Sequence, residues 1–507
     1  MRVTNTMISN SAQSHILNAK NKLLKYQEQY TSQQKIQRPS DDPTVAVRSL
    51  KLRTTYSQLS QFAEKNIKDA MSWMDTTESA MSNMATILTN MKGYLNQGAC
   101  DELETDDRNS VVATLKEYVK SIFHDEANTD YSGRYVFSGF RTDTSLLFPA
   151  DTDTLKYKIK ENFVLNDIDA VNSVIKGNAS AAGVEQNAVK KSMYRMQVAY
   201  DECETAGFSF SFKDASGTLK TLTAESTVAI QTSNAVSPAS VNIKATVANS
   251  SSICTERDIE DNEIRFIADT GEILIGKDAY QAIKAAGPDT ISVGFEKEKF
   301  RQNDVRPEMY FEAVCSDTVN GVVTEFTEPK DQEIKYEVNF NQTLSVNTQA
   351  RDAIDTDIYR NIDYIAQCVE YVDEVDKNIS ETKKKIANTT DTAELSKLNN
   401  NLTKLENEKK LRVSVMTEAF GLGLTMVDKT LDKLSVATAE LGAKYKRAEL
   451  THEKLLDERL DTEDKLSENE GVELSDAVIN LTQADNLYQA SLSATAKILG
   501  NSLLNYI

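Results

Sequence analysis

At two places the chain repeats an apolar residue at every seventh position. Ile67, Met74, Met81, Leu88 and Leu95 form one series, with Ala70, Thr77, Met84 and Met91 three residues further on in each heptad. Val413, Phe420, Val427, Leu434, Leu441, Ala448 and Leu455 form the second, and Leu424, Leu431 and Tyr445 are expected at its paired position. Such a series winds an apolar seam along one side of a helix, and the seam escapes water only against another helix. Long, partnered helices toward both ends are therefore the strongest constraint on the fold.

Backbone breakers agree with this reading. The 507 residues include only 18 Gly and 7 Pro, about 5% against a usual ~12%. No proline falls between Pro43 and Pro149, and none follows Pro329. A second helical stretch, Val111-Leu115-Tyr118-Ile122, follows an acidic turn at 101–107 and is expected to fold back antiparallel on the first seam. Toward the C-terminus Ile358, Ile362, Ile365, Val369, Val372, Ile379 and Ile386 keep helical spacing with a polar interruption at Asp376. A break at 387–391 precedes Leu395-Leu398-Leu402-Leu405, so a helical hairpin is expected near 377–412.

Between the helical ends the period changes to two. Phe208-Phe210-Phe212 alternate with Ser, and Ile334-Tyr336-Val338-Phe340 alternate with polar residues, as in half-exposed antiparallel strands. Ile264–Phe266 and Ile273–Ile275 flank Asp269-Thr270-Gly271, a hairpin turn. The predicted class is mainly α with an inserted β part (α+β). Its expected parts are a terminal assembly helix over 1–43, coiled-coil helices over 44–140, one or two β-rich domains over 141–345, further coil helices over 346–465, and a last assembly helix over 466–507.

Charge and chemistry exclude several function classes. The chain carries 57 Lys/Arg against 77 Asp/Glu, a net charge of −20, which disfavours nucleic-acid or anionic-membrane partners. Residues 1–140 hold 16 of each sign, so the acidic excess lies beyond Phe140. No window approaches the ~18 uninterrupted apolar residues of a membrane-spanning helix, and Met1–Lys20 has no apolar core of a cleaved signal. The five cysteines (100, 203, 254, 315, 368) are odd in number and widely spaced, as free thiols are. His15, His124 and His452 lie apart from one another with no Cys/His neighbours, so no metal site is expected. Gly421-Leu422-Gly423 lacks the third glycine and the preceding strand of a dinucleotide loop and reads as close helix packing or a kink. No nucleophile or acid–base constellation emerges, and neither catalysis nor a cofactor is expected.

Arg38-Pro39-Ser40-Asp41-Asp42-Pro43 reads as the start of a helix. A residue before proline avoids the helical region, an Asp or Ser at the N-cap accepts bonds from orphan backbone N–H groups, and proline fits the first helical position. Acid here also suits the positive end of the helix dipole.

Literal residues narrow the reading further. Met1-Arg2-Val3-Thr4-Asn5, Gln37-Arg38-Pro39-Ser40-Asp41-Asp42-Pro43, Ser72-Trp73-Met74-Asp75-Thr76-Thr77-Glu78-Ser79-Ala80 and Gly133-Arg134-Tyr135-Val136-Phe137-Ser138-Gly139 resemble the N-terminal region of the flagellar hook–filament junction proteins, within the flagellin superfamily. Glu440-Leu441-Gly442-Ala443-Lys444, Tyr488-Gln489-Ala490-Ser491-Leu492, Lys497-Ile498-Leu499 and Ser502–Ile507 resemble their C-terminal helices. The resemblance covers about 1–140 and 415–507. Flagellins proper share the paired-Asp motif but usually place a Ser-Gly pair before it and a small residue after it. Here Thr31-Ser32-Gln33-Gln34 and Pro43 stand in those places. The inserted 141–345 segment is larger than usual for the family, and the 377–412 hairpin has no recognised counterpart.

The resemblance implies a non-enzymatic structural subunit, exported through the flagellar type III apparatus without a cleaved signal. It would assemble as a ring with copies of itself, between the first hook-associated protein and flagellin, outside the cell. It also implies a flagellar export chaperone that covers the C-terminal helix, for which Leu481, Tyr488, Leu492 and Leu499 are the expected face. The seam residues Ile67, Met74, Met81, Leu88, Leu95, Phe420, Val427, Leu434 and Leu441 are the expected coil interface. Stripes at Val3, Met7, Leu17 and Leu24 and from Leu474 to Leu499 have no partner close in sequence, so both ends are expected to be unfolded in the free monomer. The rival readings are a filament flagellin, or an adhesin, glycan-binding module or cell-wall hydrolase acting through the middle domain.

Overall fold

The computed structural model describes residues 5–100, 103–175, 187–231, 240–249, 257–329 and 332–504. The expectations placed on Val3 and Cys254, and on the side chain of Leu499, fall outside what is described. The helices in chain order are α1 (Asn5–Ser32), α2 (Pro43–Gln61), α3 (Ile67–Gly98), α4 (Thr105–Ser121), α5 (Lys277–Ala286), α6 (Asp357–Asn388), α7 (Thr392–Glu470) and α8 (Leu474–Leu504). The fold is α+β, with long helices toward both ends and a β-rich part between them. The chain divides into two compact units. One holds Met1–Met71, Tyr336–Leu344 and Lys446–Ile507, and the other holds Ser72–Lys335 and Ser345–Tyr445.

In the first unit α1 packs on α8. The last strands assigned from sequence to the inserted β region belong here instead. Lys335–Asn339 and Gln342–Ser345 form a hairpin apart from the two large sheets, and its 336–344 portion lies with the terminal helices. Tyr336 Oη donates to Asp69 at 2.6 Å, Asn66 Nδ2 donates to the Glu337 carbonyl at 2.8 Å, and Phe340 meets Phe62 edge-on at 5.3 Å. Residues 62–66 form a π-helical turn between α2 and α3, and it is this turn that the hairpin grips. One extra residue per turn rotates the following face and is tolerated where neighbours hold it.

In the second unit α3, α4, α6 and α7 form the helical part. α4 runs back along α3, as the Tyr94–Tyr118 ring contact at 5.7 Å and the Asn83–Glu126 hydrogen bond at 3.1 Å require. Lys92 pairs with Asp428 at 2.7 Å, joining α3 to α7. α6 and α7 form a hairpin tied by Lys409–Asp376 at 2.6 Å and by Arg412 Nη1, which donates to the Tyr371 carbonyl at 2.7 Å. Asp376 is thus the polar interruption in the α6 stripe because it faces a lysine of its neighbour.

The β part of this unit has two six-stranded sheets. One runs Val323–Phe326, Glu312–Asp317, Leu155–Phe163, Ile291–Lys297, Glu204–Lys213, Leu219–Thr223. The other runs Asp169–Ile175, Val189–Gln197, Glu272–Ile275, Glu263–Ile267, Ser240–Ala248, Thr227–Gln231. A single apolar core lies between them, with Phe208, Phe210 and Phe212 of one sheet and Phe266 of the other; Phe208 and Phe266 stack at 4.8 Å. Two departures from the expected pattern follow from burial. Glu263–Ile267 pairs parallel with Ser240–Ala248, and the strands around the 269–271 turn are covered on both faces rather than half exposed. Their second face packs Ile267 and Leu274 against Leu422 of α7.

Candidate assembly site

The helix start at Asp42 is built by its own side chain. Asp42 has extended backbone (φ −152°, ψ 101°), and its carboxylate accepts from the Thr44 and Val45 N–H groups at 3.0 and 3.2 Å, with Pro43 at the first helical position of α2. Asp41 turns the other way and accepts from the N–H groups of Arg38 and Gln37 at 3.0 and 3.2 Å. Pro39 occupies the second position of a turn closed by Asp41 N–H donating to the Arg38 carbonyl at 2.9 Å. Hydrogen bonds to these carboxylates, from the Arg38 backbone for Asp41 and the Thr44 hydroxyl for Asp42, lower both pKa values.

This turn sits beside a joint that the sequence did not announce. α7 ends at Glu470 and α8 begins at Leu474, and the chain between them bonds to the segment that follows α1. Lys35 N–H donates to the Glu470 carbonyl at 2.7 Å, and Val472 N–H donates to the Gln33 carbonyl at 3.0 Å, forming a one-rung bridge around Gln34 and Gly471. Arg53 of α2 grips Glu470 through Nε and Nη2, which donate to its two carboxylate oxygens at 2.9 and 2.7 Å, and Asn469 donates to Ser49 Oγ at 2.7 Å. The Arg53 hydrogen bond holds the Glu470 carboxyl below its usual range. These partners are more than 400 residues apart in the chain, so local spacing carried no sign of them.

From this joint α1 and α8 run together, and the most deeply buried positions along them are small residues. Ala12 and Ala19 of α1 and Ala477 and Ala484 of α8 are buried. Many large aliphatic residues stay in water: Met7, Leu17 and Leu24 on α1 and Leu474, Val478, Ile479, Leu487 and Leu492 on α8 are between 41% and 60% exposed, while Ile16 and Leu23 are half-buried. Leu481 and Tyr488 are half-buried beside Ala477 and Ala484, whereas Leu492 is exposed. The structure therefore does not gather Leu481, Tyr488 and Leu492 on one open stripe.

The seam residues are buried in both units. In the second unit Met74, Met81, Leu88 and Leu95 of α3 and Phe420, Val427, Leu434 and Leu441 of α7 are all 1% exposed or less. In the first, Ile67, Ala448 and Leu455 are fully buried. The paired position on α7 is corrected. Leu424, Leu431 and Tyr445 are only half-buried, and the chain buries Gly423, Thr430 and Ala437 in their place. Small side chains win because the neighbours come close: a Cβ at Gly423 would lie 2.8 Å from Ile365 Cδ1 and 3.1 Å from Leu95 Cδ2. Gly421 meets no such crowding.

Two stretches singled out in the sequence come together in the second unit. Residues 130–135 form a small hairpin whose turn, Ser132-Gly133, has positive φ at both positions (53° and 75°). It lays the Arg134 guanidinium over the Trp73 ring, 4.9 Å from the ring centre, with Tyr131 edge-on to Trp73 at 6.0 Å. Nearby, α6 is locked to the second sheet by a buried ionic cluster that the sequence did not reveal. Glu272 accepts from Arg195 at 2.7 Å and from Arg257 at 2.6 Å, and both guanidinium groups lie over the Tyr364 ring. Burial works against ionisation of Glu272, but Arg257 and Arg195 outweigh it and hold its pKa below the usual value.

Among the described residues no three His, Cys, Asp or Glu side chains converge as metal ligands, and no helix is long and apolar enough to cross a membrane. Of the five cysteines, Cys100, Cys203, Cys315 and Cys368 are free thiols.

The helical ends match known families. Residues 3–142 match the bacterial flagellin N-terminal helical region, and residues 424–507 match the bacterial flagellin C-terminal helical region. Flagellar hook-associated protein 3 of Salmonella typhimurium is 27% identical over 192 residues, which is 37% of this chain and 59% of that protein. Its namesake in Escherichia coli K12 is 26% identical over 178 residues, 35% of this chain and 55% of that protein. The chain thus spans a little over half the length of these relatives. The crystal structure of FlgL from Xanthomonas campestris is 11% identical, covering 82% of this chain and 98% of its own at a TM-score of 0.32, too loose a superposition to add to the assignment. Both ends of the chain thus match the helical regions of bacterial flagellin, in the same order along the sequence.

Proposed function

We propose that this chain is a structural subunit of the bacterial flagellum, assembled as a ring at the junction of hook and filament. One observation carries the proposal. The α1–α8 pair buries alanines most deeply and leaves Met7, Leu17, Leu24, Leu487 and Leu492 in water. Burying a large aliphatic side chain is worth roughly 1.5–3 kcal/mol, so a pair built this way gains most from lateral neighbours. Copies of itself, the first hook-associated protein on one side and flagellin on the other are the partners that the resemblance implies, and the relatives' name, flagellar hook-associated protein 3, supports a place at the hook. Catalysis has no part in this reading, and the families matched are structural ones.

Export precedes assembly. The chain would travel unfolded through the flagellar type III apparatus, with a helical chaperone on residues 466–507. Leu481 and Tyr488 lie half-buried toward the α1 side once the chain is folded. A chaperone using them, together with Leu492 and Leu499, would bind only before α1 and α8 pair. Removing 466–507 is expected to abolish chaperone binding in a pull-down, and unchanged binding would remove this step. Gold labelling of isolated flagella tests the location. A thin band at the distal end of the hook is expected, whereas label along the whole filament would identify a filament flagellin instead.

A further inference from the structure

Two more helices of the first unit leave large apolar residues in water, and the charges around those residues are of opposite sign. α2 holds Arg48, Lys51 and Arg53 and no acid. Val47, Leu50, Lys51, Thr54 and Gln58 are spaced to share one side of that helix, and all are exposed, with Arg48 beside them. On α7 Leu450, Glu453, Asp457, Leu460, Asp464 and Glu468 keep the same kind of spacing and are exposed too. From Glu453 to Glu468 this helix carries seven acids against three bases. The bases are engaged: Lys454 pairs with Glu458 at 3.4 Å, Lys465 with Asp461 at 2.5 Å, and Arg459 with Glu64. Among the described residues no ion pair engages Arg48 or Lys51 on one stripe, or Glu453, Asp457 or Asp464 on the other. Val47, Leu50, Leu450 and Leu460 are each 54% to 62% exposed. One exposed aliphatic is ordinary, but two on each stripe, set among charges of one sign, have the make-up of a contact surface.

The stripes share a height and face different ways. α2 and α7 lie side by side and antiparallel, because Ser49 and Arg53 bond to Asn469 and Glu470, while Glu64, in the turn after α2, meets Arg459 further back along α7. The Leu460–Glu468 part of the acidic stripe is therefore level with α2. At 3.6 residues per turn each stripe falls on the side of its helix away from the buried residues, which are Ala46 and Ser49 on α2 and Ala448, Leu455 and Thr462 on α7. When one face of a subunit meets a different face of the next, the contact is head-to-tail, and it closes into a ring if each step is a rotation without a continuing shift. Two faces at one height allow such a step. Opposite charge fixes which face meets which, and like charge opposes α2 on α2 or α7 on α7.

We propose that in the assembled state the basic stripe of α2 on one copy docks on the acidic stripe of α7 on the next copy of this chain. Leu50 and Val47 pack there against Leu460 and Leu450, with Arg48 and Lys51 against Asp457 and Asp464. The contact rests on the reading of the chain as a ring-forming subunit and names the two faces that meet.

Cysteine pairing on isolated flagella tests it with the full chain. Leu50→Cys and Leu460→Cys together are expected to give, after mild oxidation, a ladder of dimers, trimers and larger multiples on a non-reducing gel. Wild type and each single variant are expected to run as monomer, which also controls for the exposed Cys100. Arg48→Glu with Lys51→Glu should abolish the ladder, and adding Asp457→Lys with Asp464→Lys should restore it, with the melting temperature of the purified protein unchanged throughout. Monomer alone in the double-cysteine variant overturns the proposal. A dimer from either single variant, a cross-link to a protein of another mass, or a ladder indifferent to the charge reversals overturns it equally. The contact and the location fail separately: gold label along the filament with the ladder present removes the junction and keeps the contact, whereas a band at the hook without the ladder keeps the junction and removes the contact.

Discussion

Phe420 and Gly98 give the sharpest test of how the two seams meet. The Phe420 ring is fully buried, and Gly98, the last residue of α3, lies so close beneath it that a Cβ at Gly98 would overlap the ring. Phe420→Ala removes the ring and leaves a cavity, with an expected cost of about 3–5 kcal/mol. Gly98→Ala forces the ring to move, an overpacking cost of about 1–3 kcal/mol, offset in part by the roughly 0.5–1 kcal/mol by which Ala favours a helix over Gly. Once the ring is gone the overlap goes with it, and the new methyl group enters the vacated space. The Gly98→Ala change should then turn from neutral or unfavourable to favourable, a coupling of about 1–3 kcal/mol in the double-mutant cycle. Urea unfolding followed by the fluorescence of Trp73, the chain's one tryptophan, reports on the same unit, and midpoints at constant slope give the free energies. If the two changes add to within ~0.5 kcal/mol, the residues do not share space and the packing of α3 on α7 is not as described.

Glu272→Gln leaves Arg195 and Arg257 buried without their anion, and is expected to cost about 3–5 kcal/mol in the same unfolding assay; an effect below ~0.5 kcal/mol would show that the cluster is not shut off from water. Because the folded-state pKa of Glu272 is held down, its contribution is present above the unfolded value and fades as pH falls, so the variant should show a flatter acid limb of stability. Asp357 behaves oppositely. Burial, with the charges of Asp355 and Asp167, raises its pKa to about 7, so the folded chain binds the proton more tightly and stability declines as pH climbs from about 4 to 7. Asp357→Asn is therefore expected to stabilise the protein at pH 8 and change little at pH 4, and equal effects at both would contradict this. Asp42→Ala removes the acceptor for the Thr44 and Val45 N–H groups, and should speed hydrogen exchange at those two amides while leaving the middle of α2 unchanged.

The elements that could be read from the sequence are those whose causes are local. Asp42 caps α2 with its own carboxylate two and three residues before the N–H groups that it accepts. Phe208, Phe210 and Phe212 alternate because each strand residue faces the side opposite its neighbour. The heptads at Ile67–Leu95 and Phe420–Leu441 mark what must leave water whichever partner arrives. The paired position on α7 was misread for the same reason that the seam was found. Hydrophobicity favours Leu424 and Leu431, but Leu95 and Ile365 come so near that only Gly423, and in the following heptads Thr430 and Ala437, take the inner place.

Periodicity and capping thus marked the long helices, the strands at Phe208–Phe212 and around the 269–271 turn, the buried series at Ile67–Leu95 and Phe420–Leu441, and the α+β class, because those depend on residues a few positions apart. Tertiary structure alone decided the rest. It brought Arg53 to Glu470 and Arg257 to Glu272, placed the 336–344 hairpin with the terminal helices, and buried alanines more deeply than leucines along α1 and α8. Each of these pairings depends on the distance between segments remote in the chain. No local pattern encodes that distance, since a side chain's burial is set by how near its neighbour can approach.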